Sequence, residues 1–195
     1  MAAAWLVTFS FIIDNYWSAN ASLQKVEQII TKRVQSPERQ MSAVISDTSF
    51  LQSLQTGEIP QERLEECMKK DFFIFFYAQN AGLPADLLFW NTNIILPDSA
   101  ILASAAKEGF RKLSNGYYVW HKVNVHSLIA VSLIPVKWDY IISNEYLQNT
   151  FTAATPITHN YNIETDTLKG AVIRANNGKA LFSIVQKQKN DDYRN

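Results

Sequence analysis

Phe72-Phe73-Ile74-Phe75-Phe76-Tyr77 is an unbroken apolar run of strand length, the pattern of a central strand covered on both faces. A strand with one wet face alternates polar and apolar residues, so this segment requires a layer on each side of its sheet. Working outward, Leu87 to Trp90 follows the turn signals Gly82 and Pro84 and reads as its hairpin partner. Pro97, Asp98 and Ser99 open a short helix through Lys107, ended by Gly109. Phe110 to Leu113 and Tyr117 to Val123 flank Asn115-Gly116, a dipeptide suited to the positive φ angles of a type I′ hairpin turn. A further strand, Ser127 to Ile134, is expected to end at Pro135, which has no N–H to give a ladder.

Upstream of this block, apolar residues recur at helical spacing from Ala21 to about Thr56 (Leu23, Val26, Ile30, Val34, Met41, Val44, Ile45, Leu51, Leu54), which predicts a long amphipathic helix. Pro37 falls inside it and Ser36 can cap a second helix, so a kink or restart is expected near Ser36. Gly57 ends the run, and Pro60 opens a charged helix through Lys70. Downstream, Asp139 to Phe151 reads as a short helix and Thr152 to Thr167 as a polar stretch. Gly170 to Arg174 and Ala180 to Val185 form a small hairpin about Asn177-Gly178, before a polar tail from Lys187 to Asn195. This order predicts an α+β fold with one antiparallel sheet of about five strands. The long N-terminal helix packs on one face, small helices lie over a cavity on the other, and a β-hairpin closes the chain. The stripe Leu23, Val26, Ile30 and Val34 is more than such a sheet can cover, which predicts a self-associating seam and a homodimer of the membrane-anchored parent.

The 195 residues are 47% hydrophobic and 18% charged, a globular composition. Eighteen basic side chains balance eighteen acidic ones, so no net field draws a phosphate backbone and nucleic acid is not an expected partner. Cys67, the single cysteine, reads as a small apolar residue on the charged helix. His121, His126 and His159 show no helical metal-pair spacing and no zinc signature with Cys67, so no metal and no cofactor is expected. The sequence contains no Gly-rich phosphate loop, nucleophile elbow or kinase motif, and Glu65-Glu66 and Asp191-Asp192 sit in charged runs; no catalytic residue is assigned.

Met1 to Ile13 is uncharged and largely apolar and leads to the aromatic pair Tyr16-Trp17, as at a membrane interface. Thirteen helical residues rise about 20 Å against a hydrocarbon core of about 30 Å, so the segment does not span alone. Three readings stand: the outer end of a truncated transmembrane helix, which the aromatic pair favours; a buried apolar helix or strand; or a signal sequence, which lacks the positive n-region and cleavage site. Residues 1–17 are then a partial transmembrane segment, 18–151 the α+β domain, and 152–195 an extension carrying the hairpin and the tail.

The side chains with recognition chemistry concentrate in Tyr117 to Lys122 and Pro135 to Tyr140. Alternation places Tyr118, Trp120 and Lys122 on one face. Rings there can wall a ligand pocket in which Lys137 or Asp139 fixes a polar head group, making Tyr118, Trp120, Lys137, Trp138, Asp139 and Tyr140 the candidate ligand-binding residues. The competing reading is ordinary sheet packing with lysine stems lying along apolar surface.

In order and spacing, Asp86-Leu87-Leu88-Phe89-Trp90-Asn91-Thr92-Asn93, Ile95-Leu96-Pro97-Asp98-Ser99, Leu113-Ser114-Asn115-Gly116-Tyr117-Tyr118, Leu133 to Tyr140 and Asn144 to Phe151 resemble the extracytoplasmic sensor regions of membrane-bound bacterial two-component sensor histidine kinases. Gly178 to Ser183 is similar to their closing hairpin. The resemblance covers about Ala21 to Val185 and contains no catalytic motif. It implies a PAS-like or Cache-like periplasmic domain between two transmembrane helices, with HAMP, dimerisation and ATP-binding kinase modules of the phosphorelay outside this chain. None of the histidines here is a phosphoacceptor. The expected role is non-catalytic signal sensing at the bacterial cell membrane, with a small molecule or a periplasmic protein as partner. The alternative is a protein-interaction module of a membrane receptor or chemoreceptor without a small-molecule ligand.

Overall fold

The computed structural model describes residues 2–79, 86–155 and 158–187, with side chains from residue 22 onward. The turn signals Gly82 and Pro84, the side chains of the apolar N-terminal segment and the tail beyond Lys187 lie outside the described residues. Among the described residues, no helix is long and apolar enough to cross a membrane.

Helices α1 (Ala2–Ser46), α2 (Thr48–Thr56) and α3 (Gln61–Met68) precede the strands β1 (Phe73–Ala78), β2 (Leu87–Trp90), β3 (Glu108–Leu113), β4 (Gly116–Val125) and β5 (Leu128–Trp138), with α4 (Ser99–Ala103) between β2 and β3. These five strands form one antiparallel sheet in the order β2-β1-β5-β4-β3, so the fold is α+β as the element order predicts. A second, three-stranded antiparallel sheet orders β6 (Tyr161–Glu164), β8 (Ala180–Gln186) and β7 (Ala171–Arg174) as β6-β8-β7. The chain divides into two compact units, Arg33–Thr152 with the larger sheet, and Met1–Lys32 together with Ala153–Asn195 with the smaller.

The aromatic run does what its composition demands. On one face Phe75 and Tyr77 join Tyr118, Trp120, Val131 and Leu133 in a buried cluster that Ile101 of α4 and Leu113 close. On the other, Phe76 meets Phe50 of α2 edge-on at 5.8 Å and Phe89 of β2 at 6.2 Å. Asn91 ties this core to its surroundings, accepting from the Ile74 N–H at 2.7 Å and donating to the carbonyls of Cys67 at 2.8 Å and Phe72 at 3.1 Å.

Several expectations are corrected. Helix α1 runs unbroken through Pro37 and stops ten residues later, where Asp47 caps α2 by accepting from the Phe50 N–H at 3.1 Å. Pro37 is buried on the same stripe as Val34 and Met41, and that burial holds the helix together where a lost hydrogen bond alone would break it. Of the predicted stripe, Val26, Ile30 and Val34 are each fully buried within the single chain and Leu23 is half-buried, so less of it is left uncovered than its length implies. Helix α4 ends at Ala103, because β3 already begins at Glu108. Strand β5 continues through Pro135 to Trp138: β1 pairs with it only as far as Leu133, and β4 meets Pro135 at a bulge between Tyr117 and Tyr118.

The Asn115-Gly116 hairpin forms, yet neither residue has positive φ and the turn is not type I′. Glycine is required there for another reason, since a Cβ on Gly116 would stand 2.5 Å from the Lys137 carbonyl oxygen. Residues 139–150 are an irregular loop, not a helix. Asn144 Oδ1 accepts from the backbone N–H groups of Tyr146 at 2.9 Å and Leu147 at 2.8 Å, bonds that compete with a helical ladder. Within the polar stretch the sequence hides β6, which pairs along β8 from Tyr161↔Gln186 to Glu164↔Ser183.

Candidate functional site

Of the six predicted ligand-binding residues, five adjoin one another and Lys137 stands apart. Tyr118 and Trp120 lie inside the buried cluster, where the rings are spent on packing and the Tyr118 hydroxyl donates to Asn115 Oδ1 at 2.8 Å. Trp138, Asp139 and Tyr140 come together at the end of β5, beside the β3–β4 turn. Trp138 stacks on Tyr140 with ring centroids 6.0 Å apart and meets Tyr118 edge-on at 6.2 Å. Asp139 pairs with Lys112 and holds that ammonium above its usual pKa. Lys137 points away from this group, its Nζ 5.6 Å from the centre of the Phe151 ring.

Local sequence explains the arrangement. The bulge opposite Pro135 and the close approach of Gly116 to Lys137 swing the end of β5 against the hairpin tip, where the Asp139 N–H donates to the Asn115 carbonyl at 3.0 Å. Lys112, Ser114, Asp139, Tyr140 and Ile141 line an open depression at this corner. The loop beyond it holds apolar side chains in water: Ile141 is 95% exposed, Ile142 77% and Tyr146 85%. The corner thus offers a ring face, an ion pair and an exposed apolar margin to a ligand or a protein surface. Sequence reading located its ring stack and missed Lys112, whose place at the site depends on the hairpin register.

A second cleft, of about 190 Å³, lies between α1, α2 and α3. Ligand pockets run to about 300–1,000 Å³, and the charges here are already matched, Arg63 bridging Asp47 at 2.5 Å and Glu66 at 2.6 Å. Hydrogen bonds from the Ser49 hydroxyl and the Phe50 N–H hold the Asp47 carboxyl below its usual pKa. Burial pushes the Cys67 thiol up, which makes it a poor nucleophile. Elsewhere in the same unit, Glu38 of α1, Glu108 of β3 and His121 of β4 are drawn to one point.

Comparison with protein-family models, with curated proteins and with solved structures finds no match.

Burial also raises the phenol pKa of Tyr118, Tyr77 and Tyr161 above the ordinary value. Above about pH 10 the unfolded chain releases phenolic protons that the folded chain retains, so stability falls as pH rises, by about 1.4 kcal/mol per pH unit for Tyr118, whose shift is the large one. Tyr118→Phe is expected to flatten this alkaline limb by about that amount, read from urea midpoints at a series of pH values above ~10. An unchanged slope would mean that Tyr118 ionises in the folded state.

Proposed function

We propose that this chain is the extracytoplasmic signal-sensing domain of a membrane-bound bacterial sensor histidine kinase, facing the periplasm and passing the binding of a small molecule or a periplasmic protein to the kinase modules. The α+β architecture, with a long helix leading into a five-stranded antiparallel sheet, agrees with the PAS-like or Cache-like domain that the resemblance implies. The observation that carries the reading is a connection inside the 33–152 unit. Arg33 of α1 donates to the carbonyl of Pro135 at 3.3 Å, three residues along β5 from Trp138. A ligand that moves the Trp138–Tyr140 stack therefore acts on the strand that the helix grips. The chain's part in this is binding and transmission, with no chemistry of its own.

The test is a chimera in which the chain replaces the periplasmic region of a membrane histidine kinase, read through a transcriptional reporter. Trp138→Ala at the corner and Arg33→Lys at the connection are expected each to shift output severalfold at equal membrane levels, with limited proteolysis confirming the fold. Output indifferent to both would overturn the proposal. The exposed Ile141, Ile142 and Tyr146 favour one second reading, an interaction module that docks a protein and takes no small molecule. In that case Ile141→Ser with Ile142→Ser would shift output and Trp138→Ala would not.

A further inference from the structure

We propose that Glu38, Glu108 and His121 form a binding site for a divalent transition-metal ion, zinc above all, that joins α1 to the β3–β4 hairpin. The inference goes beyond the sensing role and does not rest on it. Glu108 and His121 face each other across the hairpin as register partners, with His121 Nδ1 3.6 Å from Glu108 Oε2, and each residue is only 8% exposed. Glu38 approaches from α1, and one ligand atom from each of the three lies within 4.8 Å of the others.

Together the three supply one imidazole nitrogen and two carboxylate oxygens, a mixed donor set that suits a divalent transition-metal ion. The donor set suits zinc, which takes imidazole nitrogen and carboxylate oxygen at about 2.0–2.2 Å in a tetrahedron, and whose open sites hold three protein ligands and a water. Tetrahedral ligands at that distance stand about 3.3–3.6 Å apart, so the three side chains need draw inward by only about 1 Å, within reach of glutamate rotation.

A second observation points to the same place. Ser132 lies directly opposite His121 in the β4–β5 register, so its side chain shares the face of the sheet that carries His121. It is fully buried, and its Oγ has no hydrogen-bond partner among the described residues. A buried hydroxyl left so is costly, and a metal-bound water in the fourth position gives it a partner.

The experiment uses the whole purified chain, stripped with a chelator, dialysed and titrated with zinc chloride by calorimetry, with thermal unfolding followed in parallel and magnesium chloride as control. We expect one zinc per chain, a melting temperature raised by several degrees, reversal by EDTA and no response to magnesium. Glu38→Gln, at the partly exposed position and so least disturbing to the fold, should weaken zinc binding at least tenfold. His121→Asn should do the same, and Ser132→Ala should weaken it less. No zinc uptake by the folded chain would overturn the site. So would uptake that Glu38→Gln leaves unchanged, which would place the ion elsewhere, or a cluster that responds to pH alone and never to zinc, which would make it a proton-bridged triad.

Discussion

Phe76→Ala is expected to lower the stability of the folded chain by about 4 kcal/mol, the upper range for truncating a buried aromatic. Phe76 is fully buried at the centre of three rings: it meets Phe50 at 5.8 Å with an interplanar angle of 80°, Phe89 lies 6.2 Å away, and Phe50 and Phe89 themselves cross at 5.8 Å and 86°. The cost is high because the neighbours cannot collapse into the gap. Phe50 belongs to a helix fixed at its start by the Asp47 cap, and Phe89 to a strand whose next residue but one, Asn91, is bonded to the Ile74 N–H and to the carbonyls of Cys67 and Phe72. Edge-to-face geometry adds about 0.5–1.5 kcal/mol per ring pair to the area lost. Urea unfolding followed by tryptophan fluorescence measures the loss. A value under about 1.5 kcal/mol would show that α2 slides in to refill the space.

The same segment shows why the larger sheet was legible in the sequence. Six consecutive apolar residues of strand length have the pattern of a strand covered on both faces, and Phe73–Ala78 forms such a strand between β2 and β5. The misreadings share one cause, a local rule overruled by contacts distant in sequence. Pro37 breaks a helix unless its ring is buried on the helix's own apolar stripe, as here. Pro135 ends a strand unless a bulge stands opposite and no second neighbour asks for its N–H. Apolar Ile141, Ile142, Tyr146 and Leu147 have the makings of a helix face, but asparagine side chains satisfy the loop backbone first. Strand β6 is too short and polar to announce itself without β8 beside it.

The candidate sites divide along the same line. Trp138, Asp139 and Tyr140 are adjacent in the chain, so their aromatic and acidic pattern was visible. Glu38, Glu108 and His121 come from a helix and two strands, and no spacing rule joins a residue on α1 to one 83 positions further on. Metal signatures read from sequence detect ligands at short fixed spacings; a site assembled by register and helix docking leaves no such trace.

Arg33→Ala is expected to cost about 3 kcal/mol, and Arg33→Lys to recover less than half of it. The side chain is 13% exposed and divides its donors among four acceptors: Nε gives to the Pro135 carbonyl and to Thr152 Oγ1, each at 3.3 Å, and the terminal nitrogens give to the carboxylate and the carbonyl of Asp71. The Pro135 carbonyl keeps a bond from Thr152 Oγ1 at 2.7 Å when Arg33 is lost, so no acceptor is orphaned there and the cost stays below that of a broken buried ion pair. What goes is chiefly the two part-buried bonds from Nε, which together with the exposed contacts to Asp71 account for about 3 kcal/mol at most. Lysine supplies one point charge in place of a planar fork and cannot reach Pro135 and Asp71 together. Asp71→Ala should cost under about 1 kcal/mol, since its carboxylate is 63% exposed and water replaces the pair. The ratio of the two losses is the measurement. Equal effects of Arg33→Ala and Asp71→Ala in urea unfolding would reduce the contact to a surface ion pair, and Pro135 would then have no hold on α1 through which binding at Trp138 could be felt.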